Sequence, residues 1–225
     1  GRLVKMQRLY PTGCVSYYNY DGNSKLVNRT NPEGVTTYYE YDPSNPGVLA
    51  SIKRGSLITY FDRVSGEVCV KDPRGNRTYF AYDSSGNITS VKDPLGHVRS
   101  TAWTSGHLPS SITDPLNHTT YYTYDADGLA TSEKDPLGYT AYFVYSSKDL
   151  TEAKDRRGYT TYYEYDANRN VSIAKDALGQ CTYFTYDKGL VATRKDPLGS
   201  VSTAYYDSYG RSTAEINALG NATYY

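Results

Sequence analysis

Three cysteines and three histidines are the metal-binding or nucleophilic residues that this chain of 225 residues offers. Cys14, Cys69 and Cys181 show no C-x-x-C spacing, and a structural zinc site needs four clustered ligands. We interpret the cysteines as packed thiols, with a single disulfide as the alternative. His97 and His118 are 21 residues apart and could come close across a sheet, but no third ligand is in register, so a surface role is favoured.

A second set of candidates is a series of aspartates that recurs along the chain, each preceded or followed by turn residues. A carboxylate ladder of this kind could bind calcium, but each aspartate also begins a D-P-L-G or related turn, where its side chain accepts backbone amides two residues on. Adjacent lysines offset the charge. The turn role is therefore predicted, with no metal and no cofactor. The series comprises Asp72, Asp93, Asp114, Asp135, Asp155, Asp176 and Asp196.

Six N-x-S/T sequons are candidates for N-glycosylation if the protein passes through a eukaryotic secretory pathway. Several arise from the repeat itself, because D-P-L-G-N-x-T contains a sequon, so chance occurrence is the alternative interpretation. The six asparagines are Asn28, Asn76, Asn87, Asn117, Asn170 and Asn221.

Other function classes are disfavoured by composition and by motif. The chain has 24 basic and 24 acidic residues, which argues against nucleic acid or an anionic membrane surface as partner. The sequence contains no run of 18 apolar residues, so no membrane span is predicted. The phosphate-binding loop, the G-x-S-x-G elbow, H-E-x-x-H and the dinucleotide fingerprint do not occur, so we predict no catalytic site and no enzymatic activity.

All of these candidates are positioned by one internal repeat. The last residue of each D-P-L-G-like tetrapeptide, here called the marker, recurs at intervals of 20 to 21 residues over ten steps. We therefore predict a single array of about ten to eleven repeats over residues 1–225. Because both ends interrupt a repeat, we expect the sequence to be an excerpt of a longer chain. The markers are Gly13, Gly34, Gly55, Gly75, Gly96, Asn117, Gly138, Gly158, Gly179, Gly199 and Gly220.

Positions three, five and seven after the marker carry Thr and aromatic residues, a period of two that is typical of a strand with one packed face. We predict that the aromatic residues at position seven form a structural column across successive hairpins. They are Tyr20, Tyr41, Tyr82, Trp103, Tyr124, Tyr145, Tyr165, Tyr186 and Tyr206.

Two turns interrupt each period, the marker turn and a Y-D-x-x-G turn, which leaves two short strands per repeat. The predicted fold is an all-β strip of antiparallel hairpins with about 20–22 strands. Sheets this wide twist, so the strip should coil into a tube or shell wall. With 27 tyrosines but only 39 Leu, Ile, Val and Phe residues, we expect an ordered protein without a thick aliphatic core.

These motifs resemble the RHS or YD repeat over essentially the whole chain, and the copy from Asp72 to Ile88 is close to that family's consensus. In that family the repeats coil as one antiparallel strip into a hollow shell. Bacterial members enclose toxin polypeptides, and the animal teneurins use a related shell in adhesion receptors. The resemblance implies an extracellular or cell-surface protein and supplies no catalytic residues.

We therefore predict a non-enzymatic structural module, the wall of an extracellular shell or fibre. Two alternatives remain open: a cocoon segment that encloses a toxin or effector, and a teneurin-like adhesion surface that binds glycans or a receptor. The expected partners are neighbouring repeats of the same or identical chains, with a glycan or an enclosed polypeptide as further candidates. The three weakest copies, at 51–61, 101–105 and 146–149, are where an exception to this interpretation would lie.

Overall fold

The structure is a computed structural model that describes residues 8–9, 15–64 and 66–225. Every regular element in these ranges is a β-strand, which confirms the predicted all-β class and the predicted number of strands. The first eleven strands are β1 (Arg8–Leu9), β2 (Val15–Tyr20), β3 (Leu26–Thr30), β4 (Thr36–Tyr41), β5 (Leu49–Arg54), β6 (Leu57–Val64), β7 (Glu67–Lys71), β8 (Arg77–Tyr82), β9 (Ile88–Lys92), β10 (Val98–Trp103) and β11 (Pro109–Thr113). The others are β12 (Thr119–Tyr124), β13 (Ala130–Lys134), β14 (Thr140–Ser146), β15 (Asp149–Lys154), β16 (Thr160–Tyr165), β17 (Val171–Lys175), β18 (Cys181–Asp187), β19 (Leu190–Lys195), β20 (Val201–Tyr206), β21 (Ser212–Ile216) and β22 (Ala222–Tyr224).

The chain divides into two units, one of residues 1–103 and 112–117 and one of residues 104–111 and 118–225. In the first unit, β1 to β10 pair consecutively and antiparallel. In the second unit, β12 to β22 do the same. Each unit is thus a strip of hairpins, as predicted. The single array over 1–225 and its coiling stay predictions.

Each repeat contains two hairpins of different construction. We call the strand after the marker turn the forward strand and the strand after the second turn the return strand. In the second unit, the hairpin closed by a marker turn has a ladder of only three residue pairs, as in Ser132–Tyr142 to Lys134–Thr140. The hairpin at the other end carries a β-bulge directly before position seven, as between Glu164 and Tyr165. A bulge bends the strand and redirects the next side chain.

Little apolar surface in the strip is fully covered. Among the described residues, the only buried hydrophobic side chains are Cys69 and Ala214. Burial alternates along the forward strands: in β16 the side chains of Tyr163 and Tyr165 are half-buried, whereas Tyr162 is 43% exposed. One face of each strip is therefore packed by its own neighbouring side chains, and the other is open to solvent. In the described part of the chain, no helix is long and apolar enough to cross a membrane.

Candidate functional site

The aspartates at the marker turns accept hydrogen bonds from the turn backbone, which confirms the predicted turn role. The carboxylate Oδ1 of Asp135 accepts the amide of Leu137 at 3.0 Å and that of Tyr139 at 2.9 Å. The backbone completes the loop, because Gly138 N–H donates to the Asp135 carbonyl at 3.0 Å. Gly138 needs its φ of +92° to make this turn, a conformation in which a Cβ atom is unfavourable.

The second turn has the same geometry at the opposite end of the strands. Asp166 Oδ1 accepts the amides of Asn168 and Asn170, each at 2.9 Å. In several turns the fifth residue adds a side-chain donor to the other carboxylate oxygen, as Asn76 does to Asp72 and His97 to Asp93, both at 2.9 Å.

In five of the turns these hydrogen bonds favour the charged form of the aspartate and lower its pKa. The main cause is the backbone amide of Lys25 for the pKa of Asp21, that of Asn170 for the pKa of Asp166 and that of Arg211 for the pKa of Asp207. For Asp72 and Asp93 the main cause of the lower pKa is the side chain of Asn76 and of His97, respectively. The aspartate side chains therefore have a structural role as hydrogen-bond acceptors for the turn backbone.

The position-seven residues carry a second repeated device, which we call the ring-tip bond. The hydroxyl of Tyr165 donates to the carbonyl of Leu150 at 2.8 Å, across the hairpin and beyond the point where its three-pair ladder ends. In each ring-tip bond the acceptor lies 15 residues before the donor. The same bond joins Tyr41 to Leu26, Trp103 to Ile88, Tyr124 to Pro109, Tyr186 to Val171 and Tyr206 to Val191.

Trp103 shows that the donor atom matters more than the kind of ring. Its indole Nε1 donates to the Ile88 carbonyl at 2.8 Å, in the place of a tyrosine hydroxyl. Of the other predicted column members, Tyr82 and Tyr145 make no ring-tip bond, and the residue 15 positions before Tyr20 lies outside the described residues. All nine side chains of the column are half-buried. Burial raises the pKa of the Tyr124 and Tyr165 hydroxyls, because it disfavours the phenolate.

The six sequon asparagines occupy different environments. Asn117 and Asn221 are exposed at marker turns. The Nδ2 atoms of Asn76, Asn87 and Asn170 donate to the turn aspartates Asp72, Asp83 and Asp166 at 2.9–3.3 Å. Asn28 lies in β3, where its Oδ1 accepts the Asn19 amide at 2.6 Å.

The two described cysteines lie in different strands and have free thiols. Cys69 in β7 is a buried free thiol, and Cys181 in β18 is a half-buried one. Cys14 lies outside the described residues. His97 closes the turn after β9, and His118 directly precedes β12. Among the described residues, no group of three His, Cys, Asp or Glu side chains is arranged to hold a metal ion.

In each unit the marker turns lie at one end of the strands and the second turns at the other, and we call these two ends the marker rim and the opposite rim. On the marker rim the third turn residue projects into solvent, and Leu198 is 92% exposed. A shallow groove of about 510 Å³ lies between the turns 176–179 and 196–199, lined by Tyr183, Lys195 and Leu198 among others. An equivalent groove of about 500 Å³ recurs in the first unit between the turns 72–75 and 93–96. These grooves are the recurrent concave features of the strip.

The ring-tip bond and the bulge were not foreseen from the sequence, although a signal for the bond was present. Phenylalanine occurs at position five, as Phe80, Phe143 and Phe184, whereas position seven holds Tyr or Trp in every copy of full length. A position that accepts either Tyr or Trp but not Phe indicates a side-chain donor at the ring tip.

The fold is similar to part of a known two-component structure. The crystal structure of TcdB2–TccC3 matches 93% of this chain with a TM-score of 0.57 and 13% identity, and this chain spans 16% of that chain. TcdB2–TccC3–Cdc42 and the Photorhabdus luminescens Tc holotoxin pore match 91% of this chain and 13% of theirs at 15% identity, with TM-scores of 0.39 and 0.38. No family model and no curated protein matches the chain. The likeness to TcdB2–TccC3 supports an RHS-type fold for this chain.

Proposed function

We propose that this chain is a non-catalytic structural strip that forms part of the wall of an extracellular shell. The observation that carries this proposal is that the candidate polar side chains make the same hydrogen bonds to the backbone in successive repeats. The turn aspartates bind amides, and the position-seven tyrosines bind carbonyls, in one hairpin after another. Catalytic sites break local regularity, whereas these residues maintain it.

Two further points support a wall. In each unit the described residues form a single layer of strands with two accessible faces, so the strip can separate one space from another. The fold match to TcdB2–TccC3 agrees with the resemblance to repeats whose bacterial members enclose toxin polypeptides. We therefore favour an enclosed polypeptide as the partner over an empty fibre.

Electron cryomicroscopy of the complete polypeptide that contains this sequence tests the wall. The expected result is a single protein layer at the position of the strip, with a cavity on one side and density for a polypeptide inside it. A second β-layer packed face to face against the strip would contradict the proposal.

A substrate screen tests the absence of catalysis. We expect no turnover of peptide, ester or glycoside substrates by the purified chain. Reproducible turnover that a single substitution abolishes in one of the weak copies, 51–61, 101–105 or 146–149, would overturn the proposal.

The exposed tyrosines of the open face favour a second candidate, an adhesion surface for glycans. Tyr121 and Tyr142 are each 52% exposed and lie in equivalent positions of successive forward strands. Aromatic rings presented in this way can stack on sugars. Binding on a glycan array that is lost in Tyr121→Ser/Tyr142→Ser, and retained in the matched Tyr209→Ser variant, would support this candidate.

A further inference from the structure

We propose that the marker rim of the second unit is an interface at which a second copy of this chain docks. We define this leucine rim by the third residues of its marker turns that are leucine: Leu137, Leu178, Leu198 and Leu219. The proposal goes beyond the wall function, because it concerns how one strip is joined to another.

The exposure of these leucines is both large and regular. Their side chains are 83%, 79%, 92% and 86% exposed, in chain order. Single exposed leucines are ordinary on protein surfaces, but a line of them marks an interaction site. Successive marker turns are two strands apart, so leucines of neighbouring turns repeat at roughly 10 Å along the rim.

The turn geometry itself does not require leucine at this position. The turn 155–158 carries Arg157 there and keeps the same backbone, with Asp155 Oδ1 accepting the amides of Arg157 and Tyr159 at 2.9 Å. Four apolar residues at the most exposed point of four turns therefore need another explanation.

On the opposite rim of the same unit, two leucines are covered by contacts within the chain. Leu108 and Leu190 each lie against the glycine of the next turn, with Cδ1 3.4 Å from the place of a Cβ on Gly128 or Gly210. Ion pairs then join neighbouring turns of that rim, as Lys148–Asp127 at 3.2 Å and Arg169–Asp149 at 2.6 Å. The opposite rim thus covers Leu108 and Leu190 and leaves Tyr209 exposed, whereas all four leucines of the leucine rim are exposed.

A second copy fits the leucine rim because a groove of this rim lies between two neighbouring marker turns and therefore follows the spacing of the turns that carry the leucines. The groove between the turns 176–179 and 196–199 has an apolar lip of Pro197 and Leu198 and a floor that includes Cys181 and Tyr183. In a two-fold arrangement, leucines of each copy enter grooves of the other, which makes the contact isologous and closed. In a partner whose side chains repeat at another distance, only one or two of them could lie opposite the grooves.

Area and charge are both compatible with such a pair. Burying one leucine removes roughly 100 Å² from water, and the half-exposed rings of Tyr139 and Tyr159 add a similar area each. A pair of rims then buries about 1,200 Å², at the lower limit of specific interfaces. Four of the five marker turns of this unit begin with a Lys-Asp dipeptide, such as Lys195-Asp196, and Arg156 pairs with Glu133 and Asp135, so the charges along the rim are largely offset.

Sedimentation velocity over a wide range of protein concentration tests the interface. The variant replaces all four leucines by arginine, the residue that the turn 155–158 already accepts: Leu137→Arg, Leu178→Arg, Leu198→Arg and Leu219→Arg. The matched control is Tyr209→Arg, which changes a side chain 84% exposed on the opposite rim. Circular dichroism of each protein establishes that the fold is retained.

We expect the unmodified chain to form dimers, the control to do the same, and the four-leucine variant to associate at least about tenfold more weakly. A chain that stays monomeric at every concentration would overturn the proposal, as would a four-leucine variant that dimerises like the unmodified chain. Binding of the rim only to a different protein would also overturn it. A monomeric result leaves the wall proposal intact, since that proposal requires no second copy.

Discussion

The irregular hairpins β5–β8 and the regular hairpins β14–β19 differ in the hydrogen bonds that hold neighbouring strands of the strip together. In the regular region a marker-turn ladder ends after three pairs, and a ring-tip bond such as that of Tyr186 holds the hairpin beyond it. In the irregular region the ladder of β7 and β8 continues for five pairs, from Glu67–Ala81 to Lys71–Arg77, and Tyr82 N–H donates to the Gly66 carbonyl at 2.8 Å.

The two regions also differ in the hairpin that precedes this ladder. No bulge interrupts β6 and β7, which pair regularly from Tyr60–Lys71 to Val64–Glu67, and Phe61, which has no donor, is tolerated there. In regular hairpins with a three-pair ladder, such as those of Tyr165 and Tyr186, a side-chain donor bonds beyond the end of the ladder, whereas Tyr145 has the bulge and the short ladder without such a bond. Position seven therefore makes a ring-tip bond only where the backbone ladder stops early.

Acid should separate the two regions most strongly, because it acts on several turn carboxylates together. The folded state lowers the pKa of Asp21, Asp72, Asp93, Asp166 and Asp207, so their contribution to stability is complete above the unfolded-state pKa of about 4 and is lost as the pH falls below it. The turn between β5 and β6 contains no carboxylate, since it consists of Gly55 and Ser56.

Amide hydrogen exchange at decreasing pH measures this effect strand by strand, after correction for the intrinsic exchange rates. We expect protection in β16 and β17 to fall before protection in β5 and β6. Simultaneous loss of protection in both regions would show that the turn carboxylates do not determine the acid response.

Removing a column ring should have the next largest effect. Tyr124→Ala deletes a half-buried ring and its bond to the Pro109 carbonyl, and we expect it to lower the free energy of unfolding by about 3 kcal/mol. Phe61→Ala, in the irregular region, removes a ring with no such bond and should cost about 1 kcal/mol less. Urea denaturation of both variants checks the order, and a negligible effect of Tyr124→Ala would contradict the structural role of the column.

A backbone substitution in a regular turn should have an intermediate effect. Gly179 has φ +81°, and the nearest atom to an added Cβ is Lys175 Cε at 3.8 Å, so Gly179→Ala meets conformational strain and no clash. We expect a loss of about 1.5 kcal/mol. Gly179→Asn should cost less, because Asn117 holds the equivalent position with φ +65°, and Gly22→Ala should be close to neutral, since the φ of Gly22 is not positive.

The sequence predicted the strands and turns because period, turn residues and strand propensity all agree in each copy. Asp135 and Asp166, for example, could be assigned to turns because aspartate, spacing and glycine point to the same local geometry. The ring-tip bond joins residues 15 apart, and it depends on a bulge that no residue type specifies. The half-exposed state of Tyr162 and the projection of Leu198 likewise depend on what packs nearby, which a repeat pattern alone does not determine.

Removing the hydroxyl at each of two matched tyrosines tests the claim that position seven acts through its donor atom. Tyr165 donates to the Leu150 carbonyl at 2.8 Å, whereas Tyr145, at the same position of the preceding repeat, makes no ring-tip bond. We expect Tyr165→Phe to lower the free energy of unfolding by about 1 kcal/mol, with protection lost in β15 and β16, and Tyr145→Phe to have no effect above about 0.3 kcal/mol. Equal effects of the two substitutions on the free energy of unfolding would contradict the claim.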